Sequence, residues 1–228
     1  MKLLAIDTST ELATVAVTAH GELFSEEQGS IRQHAQFLLP MVDRLLGLAG
    51  VSLNQLDGIV FGRGPGSFTG LRIACSVAKG LAYAHNLPLF PVSSLAAIAH
   101  DVYQAEVDGL SEINVLAMID ARMHQVYWGC FTGTSYVVDE QVSSASDIVT
   151  KSNTPLILAG VGFELYIAQL PQEIQAKIVK QCTVFPKATA MIQLVQGGHG
   201  TAVSAEEALP VYVRNQVTHG KAKGDSGG

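Results

Sequence analysis

An internal repetition constrains this chain more than any other feature. Leu4-Ala5-Ile6-Asp7 opens a predicted hairpin near the start, and Ala117-Met118-Ile119-Asp120 opens another in mid-chain. Each is followed further on by a strand that runs into a Gly-x-Gly turn, at Gly64-Pro65-Gly66 and Gly160-Val161-Gly162. A chain that repeats a hairpin and a βαβ unit must build two similar mixed sheets and bury a face of each.

In the first half the predicted strands are Lys2–Ile6, Ala13–Thr18 and Glu22–Glu26. A helix follows over Ile31–Leu48, with Ser30 as N-cap, Gly50 as stop and Pro40 within it, which predicts a kink or a later start. Then come a strand at Gly58–Gly62, a glycine-rich turn over Arg63–Gly70 and a helix over Leu71–His85. In the second half the strands are Asn114–Asp120, Gln125–Phe131 and Ser135–Asp139, with weak helical character at Ser146–Lys151. A strand at Pro155–Ala159, a helix after Gly162, a helix over Ala188–Gln196 and a strand over Val211–Arg214 close the pattern. Gly220–Gly228 is predicted to be a disordered tail. The order is βββαβα twice, the α/β plan of the actin-like ATPase superfamily, which includes sugar kinases. The division expected is 1–105 for the first lobe, 106–219 for the second and 220–228 for the tail.

Composition removes several functional classes. Of 228 residues, 48% are hydrophobic, which excludes intrinsic disorder. Only 15% are charged, against about 25% in a typical soluble domain, so a partner is expected to cover part of the surface. The net charge of −6 supplies no overall basic balance for holding nucleic acid unaided. Three scattered cysteines, Cys75, Cys130 and Cys182, form no C-x-x-C pair and fit a reducing cytoplasm. The start has too short an apolar stretch for a signal peptide, and no run approaches a membrane span.

Asp7 precedes Thr8-Ser9-Thr10, whose hydroxyls can meet a phosphate; Asp120 precedes the bulkier Ala121-Arg122-Met123. The alternative for both aspartates is a turn-closing role at a strand end. Gly62–Gly70 lacks the Gly-Lys-Ser/Thr ending of a Walker A loop. It reads as a tight turn starting a helix, capped by Ser67 or Thr69, or as an anion-binding turn. Helix Leu71–His85 carries Ala74, Cys75, Ser76, Ala78, Gly80, Ala82 and Ala84, small enough for close approach by another helix. The histidines show no H-x-x-x-H spacing, no Gly-x-Ser-x-Gly elbow occurs, and the pairs Asp139-Glu140 and Glu206-Glu207 read as solvated turns. No catalytic constellation emerges.

Several motifs together resemble the TsaB (YeaZ) family. They are Ile6-Asp7-Thr8-Ser9-Thr10, His34-x-x-x-Leu38-Leu39-Pro40, the run from Gly62 to Ile73, Ile119-Asp120-Ala121-Arg122-x-x-x-Val126-Tyr127 and Pro210-Val211-Tyr212-Val213-Arg214-Asn215. The resemblance spans nearly the whole chain and implies an inactive paralogue of TsaD with a duplicated, ribonuclease H-like fold and a reduced second lobe. It implies a non-catalytic subunit, not a peptidase, in making threonylcarbamoyladenosine 3′ of the tRNA anticodon. TsaD transfers the group from threonylcarbamoyl-AMP, with TsaE in the assembly. The implied partners are TsaD, TsaE and, when alone, a second copy; tRNA is met only through the complex, in the cytoplasm and away from membranes. The implied docking helices are about Gln33–Leu48 and Gly70–His85, with His34, Phe37, Leu38, Met41, Leu45, Ile73, Val77 and Gly80 as interface candidates. Asp7, Thr8 and Ser9 are candidates for a weak ATP or ADP contact shared with partners; no tightly held cofactor is expected. The resemblance places Ser94 and Ile98 where TsaD carries metal-binding histidines, so no metal is expected. The alternative reading is a standalone actin-like ATPase or small-molecule kinase.

Overall fold

A computed structural model of the chain describes residues 1–29, 34–105, 113–133, 135–151 and 153–213; of His34 and Ala35 it describes the backbone only. The predicted tail, the Ser30 cap and Arg214 lie outside the described residues. Two five-stranded sheets form the frame. The first comprises β1 (Leu3–Asp7), β2 (Leu12–Ala19), β3 (Glu22–Gly29), β4 (Gly58–Gly64) and β5 (Leu89–Ser93), in the order β3-β2-β1-β4-β5. The second comprises β6 (Asn114–Asp120), β7 (Val126–Phe131), β8 (Gln141–Ser143), β9 (Leu156–Val161) and β10 (Ile178–Thr183), in the order β8-β7-β6-β9-β10. Both sheets join two antiparallel pairings to two parallel ones in the same sequence. The duplication is present strand for strand.

Alternation along β1 decides what each face meets. Leu4 and Ile6 point to one core with α1 (His34–Leu48) and α2 (Phe68–His85). Leu3 and Ala5 point to a second core shared with α3 (Ser94–Ala105), α5 (Ala188–Gln196) and one face of the second sheet. Helix α5 packs on β1, β2 and β4 of the first sheet, whereas α3 packs on β6, β7 and β9 of the second. The Ala188 N–H at the start of α5 donates to Thr14 Oγ1 of β2 at 2.9 Å. Helix α3 also packs on β4 and β5 of its own sheet, so it lies between the two sheets, and the sheets share one apolar interior.

Several sequence expectations are corrected. Strand β5 and helix α3 fall where no element was assigned. Residues 94–99 of α3 are all buried and are small or apolar, and the polar residues His100, Asp101 and Gln104 come only in its second half. Helix α2 begins at Phe68, capped by Ser67, whose Oγ accepts from the Gly70 N–H at 3.3 Å. Pro40 lies inside α1. The third strand of the second half is β8, not Ser135–Asp139; the inward side chains of that stretch turn to the first lobe instead of pairing with β7. After Gly162 there are only two 3₁₀ turns and the four-residue α4 (Gln172–Gln175), and β10 follows unanticipated. Residues 211–213 form no strand, although the Val211 N–H donates to the Arg63 carbonyl at 2.7 Å.

The two faces of α1 predict unequal mutational costs. Leu45 is 2% exposed and Leu48 is 68% exposed. Leu45→Ala should cost about 2–5 kcal/mol in urea unfolding, whereas Leu48→Ala should stay within about 0.5 kcal/mol.

Candidate functional site: an inter-lobe cleft and a helical face

Asp7 ends β1 and is fully buried. Its Oδ1 accepts from the Ser9 N–H at 3.0 Å and from Ser9 Oγ at 2.8 Å. Its Oδ2 has no hydrogen-bond partner and lies over Gly62, where a Cβ would fall 1.7 Å away. Burial pushes the Asp7 carboxyl from 3.8 up to about 7, and the two bonds from Ser9 offset this only in part. Thr8 Oγ1 donates to the Gly70 carbonyl at 2.7 Å, and the Ser67 N–H donates to the Ser9 carbonyl at 2.7 Å. The two loops touch backbone to backbone. A Cβ at Gly66 would lie 2.3 Å from the Ser9 oxygen, and one at Gly70 would lie 1.8 Å from the Thr8 oxygen. Glycine is required at both positions because no side chain fits.

Above this seam a cleft of about 690 Å³ separates the lobes. Ser9, Ser67 and Phe68 line one wall; Asp120, Arg122 and Leu165 line the other. Of the nucleotide-contact candidates, Ser9 reaches the cleft lining, while Asp7 and Thr8 do not. Asp120 Oδ1 accepts from the Arg122 N–H and from the Tyr166 hydroxyl, each at 2.8 Å, and its Oδ2 pairs with Arg122 Nη1 at 3.1 Å. The hairpin turn carries Arg122, Met123 and His124 in succession at φ of 62°, 54° and 58°. Such left-handed residues cost roughly 1–2 kcal/mol each in an L-chain. Sequence reasoning saw only bulk here; a two-strand turn without glycine was the available signal. A phosphate in this cleft would meet Ser9, Ser67, the start of α2 and Arg122. Among the described residues, no three His, Cys, Asp or Glu side chains gather as metal ligands. Ser94 and Ile98 are both buried in α3.

The interface candidates separate into two groups. Leu38 and Met41 are fully buried, and Leu45 joins them in the core beneath the first sheet. These three are corrected: helical periodicity located an apolar face, and that face belongs to the interior. Phe37, Ile73 and Val77 are half-buried, and Gly80 is exposed. A Cβ at Gly80 would meet nothing within 4 Å. Ile73, Val77, Gly80 and Ala84 follow helical spacing; Ile73 and Val77 lean partly on the first core, while Gly80 and Ala84 are exposed. Of α2's small residues, Ala74, Cys75, Ala78 and Ala82 face inward. The His34 side chain lies outside the described residues.

The paired sheets with a cleft between their aspartate hairpins define a duplicated α/β protein of the actin-like fold. Residues 24–208 match the family model described as TsaD, tRNA N6-adenosine threonylcarbamoyltransferase. A Haemophilus influenzae protein named tRNA threonylcarbamoyladenosine biosynthesis protein TsaB is 36% identical, covering 98% of each chain. The Escherichia coli protein of the same name is 33% identical, over 98% of this chain and 99% of that one. A solved structure of YeaZ from Pseudomonas aeruginosa superposes with a TM-score of 0.81 at 39% identity, covering 92% of this chain and 99% of that one. The chain belongs to the TsaB (YeaZ) family within this TsaD-like group.

The raised Asp7 carboxyl predicts a pH dependence. The folded state holds the proton up to about pH 7, whereas the unfolded chain releases it near 3.8. Between those values the native state binds more protons, so stability falls as pH rises from about 4 to 7 and levels off above. At about 1.4 kcal/mol per pH unit the loss is on the order of 4–5 kcal/mol. Asp7→Asn should flatten this slope in urea titrations at pH 5 and pH 8, and leave the protein more stable at pH 8.

Proposed function

We propose that this chain is a cytoplasmic, non-catalytic subunit required for forming threonylcarbamoyladenosine at the adenosine 3′ of the tRNA anticodon. It docks on TsaD and holds that enzyme in a working state, while TsaD transfers threonylcarbamoyl from threonylcarbamoyl-AMP and TsaE completes the assembly. The observation that carries this reading is full-length identity to two proteins named for that biosynthesis. The geometry supports the division of labour. Asp7 is sealed under Ser9 and Gly62, so the first hairpin presents no free carboxylate to a nucleotide. ATP or ADP is at most held weakly with a partner. No metal or tight cofactor enters the proposed role.

Docking falls to the outward stripe of α2, with Phe37 of α1 beside it. Side chains that project little let a partner helix approach closely, and each apolar area covered there adds about 25 cal/mol per Å². The same stripe serves a second copy when TsaD is absent. The net charge of −6 leaves tRNA contact to the complex. Among the described residues no helix is long and apolar enough to cross a membrane.

Two measurements test this. Depleting the protein should remove threonylcarbamoyladenosine from tRNA nucleosides by mass spectrometry, and the wild-type gene should restore it. Normal levels in depleted cells would contradict the assignment. Gly80→Arg should fold with equal or greater stability, since replacing an exposed helical glycine gains about 0.5–1 kcal/mol. It should nevertheless lose co-elution with TsaD and fail to restore the nucleoside. Unchanged co-elution would move the docking surface elsewhere, and ATP turnover near 1 s⁻¹ by the isolated chain would favour a standalone enzyme.

A further inference from the structure

Residues 136–140 leave the end of β7 and cross to the first lobe before β8 begins. Their exposure alternates, with Tyr136, Val138 and Glu140 turned inward and residues 137 and 139 outward. This is the pleat of a strand without a ladder. Each inward side chain meets a different partner. The Tyr136 hydroxyl lies 3.1 Å from His100 Nδ1 of α3, and its ring meets His199 edge-on at a centroid distance of 4.9 Å. Val138 packs on the core shared by the two sheets. Room for Val138 comes from Gly129 of β7, where a Cβ would stand 3.1 Å from its methyl.

Glu140 closes the crossing. Its side chain is 7% exposed, and Oε2 pairs with Arg63 Nη2 at 3.0 Å. Oε1 accepts from Ser93 Oγ, which itself accepts from the Ala96 N–H at 3.1 Å in the first turn of α3. Glu140 was expected in a solvated turn; instead it is the second lobe's charge buried in the first. Such pairs are costly to desolvate and are weak evidence for stability alone, so a positional role has to be asked of them. The positions are informative. Arg63 stands on β4 directly before the glycine loop that forms one cleft wall, and β8, continuous with Glu140, pairs with β7 next to the other wall. Widening the cleft by rotating the lobes would pull Glu140 from both Arg63 and Ser93.

We propose that residues 136–140 are a strap that fixes the angle between the two lobes, and with it the width of the cleft, through Tyr136 on α3 and Glu140 on Arg63 and Ser93. The strap does not depend on the docking reading, because it acts within one chain.

The test is the distance between the lobes in the full-length protein. Spin labels on noncanonical residues at exposed Ser76 of α2 and exposed Leu165 across the cleft give that distance by pulsed electron resonance. The wild type should show one narrow distribution. Glu140→Ala should broaden it and shift it by several ångströms to longer values. Tyr136→Phe removes only the hydroxyl, keeps the ring packed and should give the same change at smaller size; it decides the matter if Glu140→Ala does not fold. A distribution unchanged in the folded variants overturns the proposal. So does a fall in the urea midpoint with no change in distance, which would make the strap an ordinary packing contact.

Discussion

The rest of the structure hangs on a contact between two stretches of backbone. Thr8 and Ser9 lie directly against Gly66 and Gly70, closed by the Thr8 hydroxyl on the Gly70 carbonyl and the Ser67 N–H on the Ser9 carbonyl. The seam fixes the start of α2 to the end of β1. It thereby sets which stripe of α2 faces the sheet and which faces out. Ser9 of the seam also holds Asp7, a fully buried acid whose carboxyl is raised to about 7 by burial. The two loops meet so closely that neither Gly66 nor Gly70 has room for a side chain, and the cleft opens above them. The glycines that look like a nucleotide loop in the sequence serve the chain's own closure.

How far the sequence could be read follows from the kind of burial each element has. Strand β6 and helix α5 were legible to the residue, Asn114–Asp120 and Ala188–Gln196, because each is bounded by clear breaks and carries a strong apolar run. Helix α3 is hard to read because its first six residues, enclosed between the two sheets, are small or apolar, and polar residues enter only from His100 onward. Residues 135–139 carry the β-prone run Tyr136-Val137-Val138 that predicts a strand, and in the structure their exposure alternates although β7 pairs with β8 instead. Alternation reports a pleat and an inward side, and says nothing of what the inward side meets. The same limit governed the interface. Spacing placed Leu38, Met41 and Leu45 on one face of α1, and only the packed sheet shows that face to be the interior. On α2, Ala74, Ala78 and Ala82 fill the inward positions, Ile73 and Val77 lie partly buried at the edge of that core, and Gly80 is exposed.

The two halves share strand order yet present unlike surfaces. In the first, long helices cover the outer face of the sheet. In the second, Leu116, Met118 and Leu158 are covered by Phe163, Tyr166, Leu170 and Ile174, carried on short turns and α4. Those turns bury the face as fully as a helix would, because burial depends on apolar area and not on the element supplying it. They cannot present a continuous ridge to another helix. The second half thus buries its sheet face without a long helix, and the long helices that cover an outer sheet face, α1 and α2, belong to the first half.

That asymmetry explains why the lobes are tied so heavily to each other. Helix α3 is wedged between both sheets, α5 of the second half packs on the first sheet, Thr14 caps the start of α5 from across the chain, and Glu140 is buried against Arg63. A surface on one lobe can transmit or resist a partner's pull only if the lobe is not free to turn against its twin. The shared core resists separation, but apolar contacts are non-directional and tolerate sliding. The hydrogen-bonded ion pair is directional: it is satisfied at one lobe angle and loses geometry on either side. The two kinds of tie divide the task, the core holding the lobes together and the polar contacts fixing their angle.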